Sequence, residues 1–188
     1  FMFPIKLTYP EVTNIFIGFE SKLWYGYMGD NFHINDKYVG NGNRISRIYN
    51  YNSDGSVGSY VKSSYYNATT RPWYVKAKTT KKTYWTGPSV GVIIGIPVVN
   101  LAIPLLTSTN AFYGTIGIGI YLIDISNYII KAYGNSDRKV IIVDKVTKSL
   151  VASTLNVSLF SLDSKNVKVF YFFIIILFCG NSFLLLLV

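Results

Sequence analysis

Short apolar runs alternate with polar, Gly- and Asn-rich stretches along most of the chain, and each run predicts one element. Residues 12–20 read as a β-strand, because Val12, Ile15, Phe16 and Ile17 fall on a β-prone run. Ser21-Lys22 reads as a turn, and residues 23–28 as the hairpin partner. Residues 29–64 are polar and dotted with aromatics, which predicts loops with one short strand near 47–51. Thr69-Thr70-Arg71-Pro72 predicts a helix start, with Thr as N-cap and Pro in the first turn, where its missing N–H costs nothing. That helix is expected to run to about Thr80. Lys76, Lys78, Lys81 and Lys82 gather toward its C-terminal end, where cations suit the helix dipole, so they read as a solvated face.

Three strand candidates follow: residues 84–94, broken by Gly87-Pro88, then 96–106 and 111–122. Thr107-Ser108-Thr109-Asn110 forms a plausible hairpin loop between the last two. Asp124 is expected to cap a helix running through Tyr133 and closed by Gly134. The order predicts an α+β domain built on an antiparallel sheet. After residues 135–137 the pattern restarts, with short strands at 140–143 and 150–153 around an Asp-Lys-Val-Thr-Lys turn. Three segments are therefore expected: a first domain over 1–135 with a truncated N-terminal helix, the start of an incomplete second subdomain over 136–168, and an apolar tail over 169–188. The tail carries no charge and is long enough to span a bilayer. Translated non-coding sequence or a truncation would give the same T-rich-codon residues, and both readings stay open.

At 188 residues, half of them apolar, the chain can bury the core of one good-sized domain, or of one domain and a piece of another. Eighteen Lys and Arg against nine acids give a net charge of +9, which favours acidic partners: small anions, an anionic membrane surface or nucleic acid. The one cysteine, Cys179, excludes a disulfide framework. The sequons Asn67-Ala68-Thr69 and Asn156-Val157-Ser158 permit an extracellular placement without requiring it.

Enzyme readings find little support. His33 is the only histidine, without a Cys or acid cluster around it in the sequence, so no metal site is expected. No Gly-x-Ser-x-Gly elbow and no phosphate-cradling Gly-x-x-x-x-Gly-Lys loop occurs, and no cofactor is expected. Gly40-Asn41-Gly42-Asn43 reads as a turn. Basic charge with aromatics would allow nucleic-acid binding, but no RNP-like or helix-turn-helix pattern is visible.

The densest chemistry lies between Tyr66 and Pro88. A cation at a helix N-terminus, as at Arg71, opposes the dipole unless an anion sits there. A carboxylate would satisfy the guanidinium with two hydrogen bonds and also accept helix N–H groups. Trp73 adds an indole N–H and an apolar wall, and Tyr66 is close enough in sequence to bring its hydroxyl to the same place. The ordinary alternative is that Arg71 pairs with a protein acid and Trp73 is core. Helical geometry separates Tyr74 from Trp73, so at most one of the two need face the ligand.

Thr70-Arg71-Pro72-Trp73-Tyr74-Val75-Lys76-Ala77 resembles the R-x-WY-x-x-A core of the double Cache extracellular sensor domains. Tyr84-Trp85-Thr86-Gly87-Pro88, Pro97-Val98-Val99-Asn100-Leu101-Ala102-Ile103-Pro104, Gly114-Thr115-Ile116-Gly117 and Asp124-Ile125-Ser126 continue the resemblance in the family's order. Residues 139–154 resemble the opening hairpin of the membrane-proximal half.

The resemblance implies a PAS-like antiparallel sheet of five to six strands flanked by helices, serving as a non-catalytic sensor of small metabolites outside the plasma membrane, with residues 1–135 as its membrane-distal sensor domain. Flanking segments would join it to the membrane, and a homodimer is compatible with the family. The ligand would be a carboxylate or an amino-acid-like metabolite, held by Tyr66, Arg71, Trp73, Tyr74 and Tyr84. In amino-acid-binding relatives an Asp on the Gly-rich strand holds the ammonium. Gly119 stands there in this chain, so a simple carboxylate is expected to bind better than an α-amino acid. Two alternatives remain: a structural ectodomain without ligand, and a basic module for nucleic acid or an anionic surface.

Overall fold

The computed structural model describes residues 2–39, 43–133, 140–147, 149–154, 175–176 and 183–187. The chain divides into two compact units, one of residues 1–86, 92–94 and 100–119, the other of residues 87–91, 95–99 and 120–188.

In the first unit, helix α1 (Met2–Thr8) precedes five consecutive strands: β1 (Asn14–Phe19), β2 (Trp24–Met28), β3 (Asn31–Val39), β4 (Asn43–Tyr51) and β5 (Val57–Tyr65). A 3-10 turn (Ala68–Thr70), helix α2 (Pro72–Thr80) and the short strand β6 (Tyr84–Trp85) follow. After β7 (Ser89–Val90) come the long strands β8 (Pro97–Leu106) and β9 (Phe112–Tyr121). The strand order is β5-β4-β3-β2-β1-β9-β8-β6, so β9 returns to pair antiparallel with β1. This is the expected α+β, PAS-like architecture, with more strands than the five or six anticipated.

Local chemistry explains the hairpins. Lys22 adopts a left-handed φ of 64° between β1 and β2, and the Phe19 amide and carbonyl close the turn. Asn110 does the same at φ 63° between β8 and β9, where Thr107 N donates to Ala111 O. The stretch 29–64 departs from expectation: it forms three strands where loops with one short strand were predicted. Its alternation is present, with Phe32 and Ile34 between Asn31, His33 and Asn35, but the second face is polar and also buried, which disguises the period. At the sheet edge Val57, Tyr60, Val61 and Tyr65 of β5 are exposed.

Helix α2 begins as expected with Pro72 in its first turn, but neither Thr caps it. Arg71 occupies the N-cap position in an extended conformation and makes no side-chain cap bond. Asn67 instead caps the preceding 3-10 turn, its Oδ1 accepting from Thr69 N at 3.1 Å and from Thr69 Oγ1 at 2.8 Å. The asparagine of the first sequon is thus engaged in holding the chain before Arg71.

In the second unit, β7 pairs with the first residues of β8. Helix α3 (Leu122–Tyr133) starts two residues before Asp124, which therefore lies inside the first turn and is not the cap. A carboxylate there still suits the helix dipole. Ile125 and Ile129 of α3 pack with Val140, Ile142 and Ala152 of the hairpin β10 (Val140–Asp144) and β11 (Leu150–Ser153), which matches the strands expected at 140–143 and 150–153. Strands β12 (Ile175–Ile176) and β13 (Phe183–Leu187) continue this small sheet in the order β11-β10-β13-β12. These are the described parts of the apolar tail. The rest of it, Gly134, the turn at 40–42 and the second sequon lie outside the described residues. Among the described residues no helix is long and apolar enough to cross a membrane.

Candidate functional site

Residues opposite one another in an antiparallel ladder point to the same face, so the register divides the first unit's sheet into two surfaces. Ile15, Ile17, Tyr25, Tyr27, Phe32 and Ile118 share one face and pack under Met2 and Phe3 of α1. Phe3 sits 5.4 Å from the Tyr27 ring and 5.5 Å from the Tyr51 ring, and Tyr27 Oη donates to Gly55 O at 2.7 Å. This outer face is an ordinary aromatic core.

The inner face has another composition. One row runs through Gly117, Phe16, Gly26, His33 and Ile48, and the adjacent positions add Thr115, Gly18, Trp24, Asn35 and Ser46. Asn14, His33, Asn35, Ser46 and Thr115 are all at least nine-tenths buried here. The glycines make room. A Cβ at Gly26 would meet Phe16 Cβ at 2.4 Å, and one at Gly117 would overlap the Phe16 ring. At Gly18 it would press on Trp73 Cη2 at 3.1 Å.

The segment from Tyr66 through α2 lies over this face. Tyr66, Ala68, Trp73, Tyr74 and Ala77 form one core with Phe16, Trp24 and Ala102. The Trp73 ring meets Phe16 edge-on at 4.8 Å, and the Tyr66 ring lies 4.7 Å from Trp24. Asn35 Nδ2 donates to the Tyr66 carbonyl at 3.3 Å, tying this cover to β3.

Tyr66, Arg71 and Trp73, expected together from the sequence, are brought together. Trp73 Nε1 donates to Tyr66 Oη at 3.4 Å, and Arg71 Cζ stands 5.0 Å over the Tyr66 ring. Burial pushes the Tyr66 hydroxyl pKa up, with the Trp73 hydrogen bond and the Arg71 charge opposing it in part. The Arg71 Nε is buried without a hydrogen-bond partner, and among the described residues no acid pairs with this guanidinium.

Tyr74 and Tyr84 have different attachments. Tyr74 is fully buried and donates to Glu20 Oε1 at 2.6 Å, while Lys78 Nζ reaches Glu20 Oε2 at 2.5 Å. Burial and then the Glu20 contact raise the Tyr74 pKa. Burial also acts to raise that of Glu20, but hydrogen bonds from Lys78 and Tyr74 and the Lys78 charge outweigh it and hold the carboxyl below its usual range. Tyr84 Oη donates to the Pro72 carbonyl at 2.8 Å, Lys76 lies 4.8 Å over its ring, and burial pushes its pKa up to about 12. Both tyrosines brace α2: Tyr74 ties it to Glu20, and Tyr84 bonds the carbonyl of its first residue, Pro72.

Sequence reasoning missed the floor beneath the clamp. Trp24 Nε1, His33 Nδ1, Asn35 Oδ1, Ser46 Oγ, Ser64 Oγ and Thr115 Oγ1 are buried without partners, all on inner-face positions. An unpaired buried polar atom costs about 1–3 kcal/mol, so such a concentration is expensive for a closed, ligand-free arrangement. His33 is held neutral: burial, and then the Lys62 charge, lower its pKa from 6.5 to about 4. Its place in the period-two alternation of β3 was the available signal. At Gly119, a Cβ would meet Asn100 Oδ1 at 2.8 Å and Asn14 Nδ2 at 2.9 Å, so two amide side chains converge where no side chain projects from the strand. Among the described residues no cluster of three His, Cys, Asp or Glu is placed to hold a metal.

Residues 20–127, more than half of the chain, match the family described as the methyl-accepting chemotaxis protein-like, first PDC sensor domain. The chain belongs to that family. Its fold is also that of solved chemoreceptor domains. The ligand-binding domain of the Campylobacter jejuni chemoreceptor Tlp3, solved with 4-methylisoleucine, superposes with a TM-score of 0.51 at 12% identity, covering 81% of this chain and 48% of that one. A structure described as methyl-accepting chemotaxis protein X also gives 0.51 at 12% identity, covering 77% and 52%. This sensor domain thus spans about half the length of the structures it matches. No curated protein matches it. The match covers the whole inner-face cover, Tyr66 to Tyr84, and the Gly-rich strand β9.

Proposed function

We propose that this chain is the extracellular, small-molecule-sensing part of a transmembrane signalling receptor, and that Arg71, Tyr66 and Trp73 clamp the carboxylate of its ligand. The observation that carries this is the Arg71 guanidinium: it stands over the Tyr66 ring at the N-terminus of α2, with a buried Nε that no protein group satisfies. A carboxylate would supply the missing acceptor and also suit the positive end of the helix. Tyr74 and Tyr84 complete the site as its braces. Membership in a sensor-domain family supports the reading, and so does the amino-acid derivative bound by the Tlp3 domain. On this reading residues 1–135 form the membrane-distal sensor, residues 136–168 begin a second subdomain, and flanking segments hold the receptor in the plasma membrane.

The surroundings of Gly119 refine the ligand. An α-ammonium needs an anionic partner, and the groups converging there are the uncharged amides of Asn14 and Asn100. A charged hydrogen bond contributes about 1.5–3 kcal/mol, so its loss disfavours α-amino acids by roughly tenfold or more. Calorimetric titration with simple carboxylates and with the matching α-amino acids tests this. Carboxylates are expected to bind, and Arg71→Gln to weaken them at least about tenfold. Tighter binding of an unmodified α-amino acid would overturn the ligand class. A domain that binds neither is a structural ectodomain, and the sensing role fails.

A further inference from the structure

We infer that the ligand extends past the clamp onto the inner face of the sheet, and that Trp24, Asn35, Ser46 and Thr115 recognise an uncharged, hydroxyl-bearing part of it. The sensor would then select a hydroxycarboxylate. This inference rests on the carboxylate reading of the Arg71 site and adds the second half of the molecule that fills it.

The four side chains are each at least 98% buried, and each carries a polar atom without a partner. They come from four strands: Ser46 of β4 lies opposite Asn35 of β3, β3 pairs with β2, and Thr115 of β9 and Trp24 of β2 lie opposite Gly18 from either side of β1. Asn35 Nδ2 is committed to the Tyr66 carbonyl, which leaves Oδ1 as the free acceptor. The Trp24 indole offers a donor only, and the Ser46 and Thr115 hydroxyls can do either. A carbon-bound hydroxyl both donates and accepts, so a ligand bearing one or two of them answers this set. An ammonium offers donors alone and would face the Trp24 N–H. An alkyl chain would leave every one of these atoms unpaired.

Clamp and floor meet at Tyr66, whose ring lies 4.7 Å from that of Trp24 and 5.0 Å from Arg71 Cζ. A short molecule therefore reaches both. His33 adds an unpartnered Nδ1 beside Trp24, with ring centroids 5.8 Å apart, and stays neutral near pH 7. Trp24 packs in one core with Tyr66 and Trp73, and Asn35 bonds the Tyr66 carbonyl, so the ligand would enter as that cover lifts. Buried water is the ordinary occupant of such groups and is the rival outcome.

Titration of the purified chain with propionate, lactate and glycerate, in calorimetry at pH 7, tests the inference. Glycerate is expected to bind about tenfold more tightly than propionate, the equivalent of one added hydrogen bond. Thr115→Val, which keeps the shape and removes the hydroxyl, and Ser46→Ala are each expected to reduce that preference about fivefold while leaving propionate unchanged. Arg71→Gln is expected to weaken all three ligands together. If propionate and glycerate bind alike and Thr115→Val is silent, the floor holds water only: the inference falls and the carboxylate clamp stands. If no carboxylate binds, both fall.

Discussion

The two faces of the first unit's sheet are built on the same strands and differ in what they bury. Under α1 the outer face packs Met2, Phe3, Ile15 and Tyr27, and the one buried hydroxyl of that set that needs a partner, on Tyr27, has Gly55 O. Under Tyr66 and α2 the inner face mixes Phe16 and Trp24 with His33, Asn35, Ser46 and Thr115, each of which keeps one buried polar atom unpaired. Each of these unpaired atoms lowers stability, and none of them adds a hydrogen bond to the fold. The contrast separates a face whose buried hydroxyl is paired from one that keeps unpaired polar atoms, the face on which the proposed ligand would lie.

That contrast can be broken on either side. The largest effect is expected on the outer face. Phe3→Ala removes a ring packed against Tyr27 and Tyr51 and should cost about 3–5 kcal/mol in urea unfolding. A loss below about 1 kcal/mol would mean that α1 is not the cover this face depends on.

The next effect follows from His33. Its folded pKa of about 4 lies below its ordinary 6.5, so as pH falls the unfolded chain takes up the proton first. The contribution of the neutral side chain is whole above pH 6.5, declines between 6.5 and 4, and falls no further below that. The loss is on the order of 3 kcal/mol at 1.36 kcal/mol per pKa unit. Urea midpoints measured from pH 7.5 down to 4.5 read it directly, and Glu20 titrates below that window. An unchanged pH slope in His33→Asn would assign the effect to other groups.

The smallest stability effect should have the opposite sign. Thr115→Val deletes a buried hydroxyl that has no partner, so nothing is orphaned by its removal. Stability is expected to stay level or rise by up to about 1 kcal/mol, while glycerate binding drops. A clear loss of stability would show that the hydroxyl is structurally engaged and would erase the difference between the faces.

Much of the site was legible because its signals are local. Arg71-Pro72-Trp73-Tyr74 marks a helix start with a cation out of place, and Tyr66 follows from short separation along the chain. The helix over 72–80 and the hairpin ending at Asn110 were equally readable, since Pro72 and the Thr107–Asn110 turn act through their own backbones. What was missed depends on partners far away in sequence. Strands β3 and β5 read as loops because their polar and exposed positions look solvated until β4 lies between them. The floor was hidden for the same reason: Thr115 reaches the Gly18 row only through the pairing of β9 with β1, and Ser46 reaches Asn35 only through that of β4 with β3.

By itself, then, the sequence determined the α+β class, the sensor family, the grouping of Tyr66, Arg71 and Trp73, and the absence of an acid at Gly119, since each is carried by residue type and short-range order. Tertiary structure alone decided that among the described residues no acid pairs with Arg71, that Asn14 and Asn100 converge at Gly119, and that one sheet face carries several unpaired polar atoms. The physical reason is that hydrogen-bond satisfaction is a property of the neighbours a side chain meets after folding, and neighbours across a sheet are set by register, which no single segment contains.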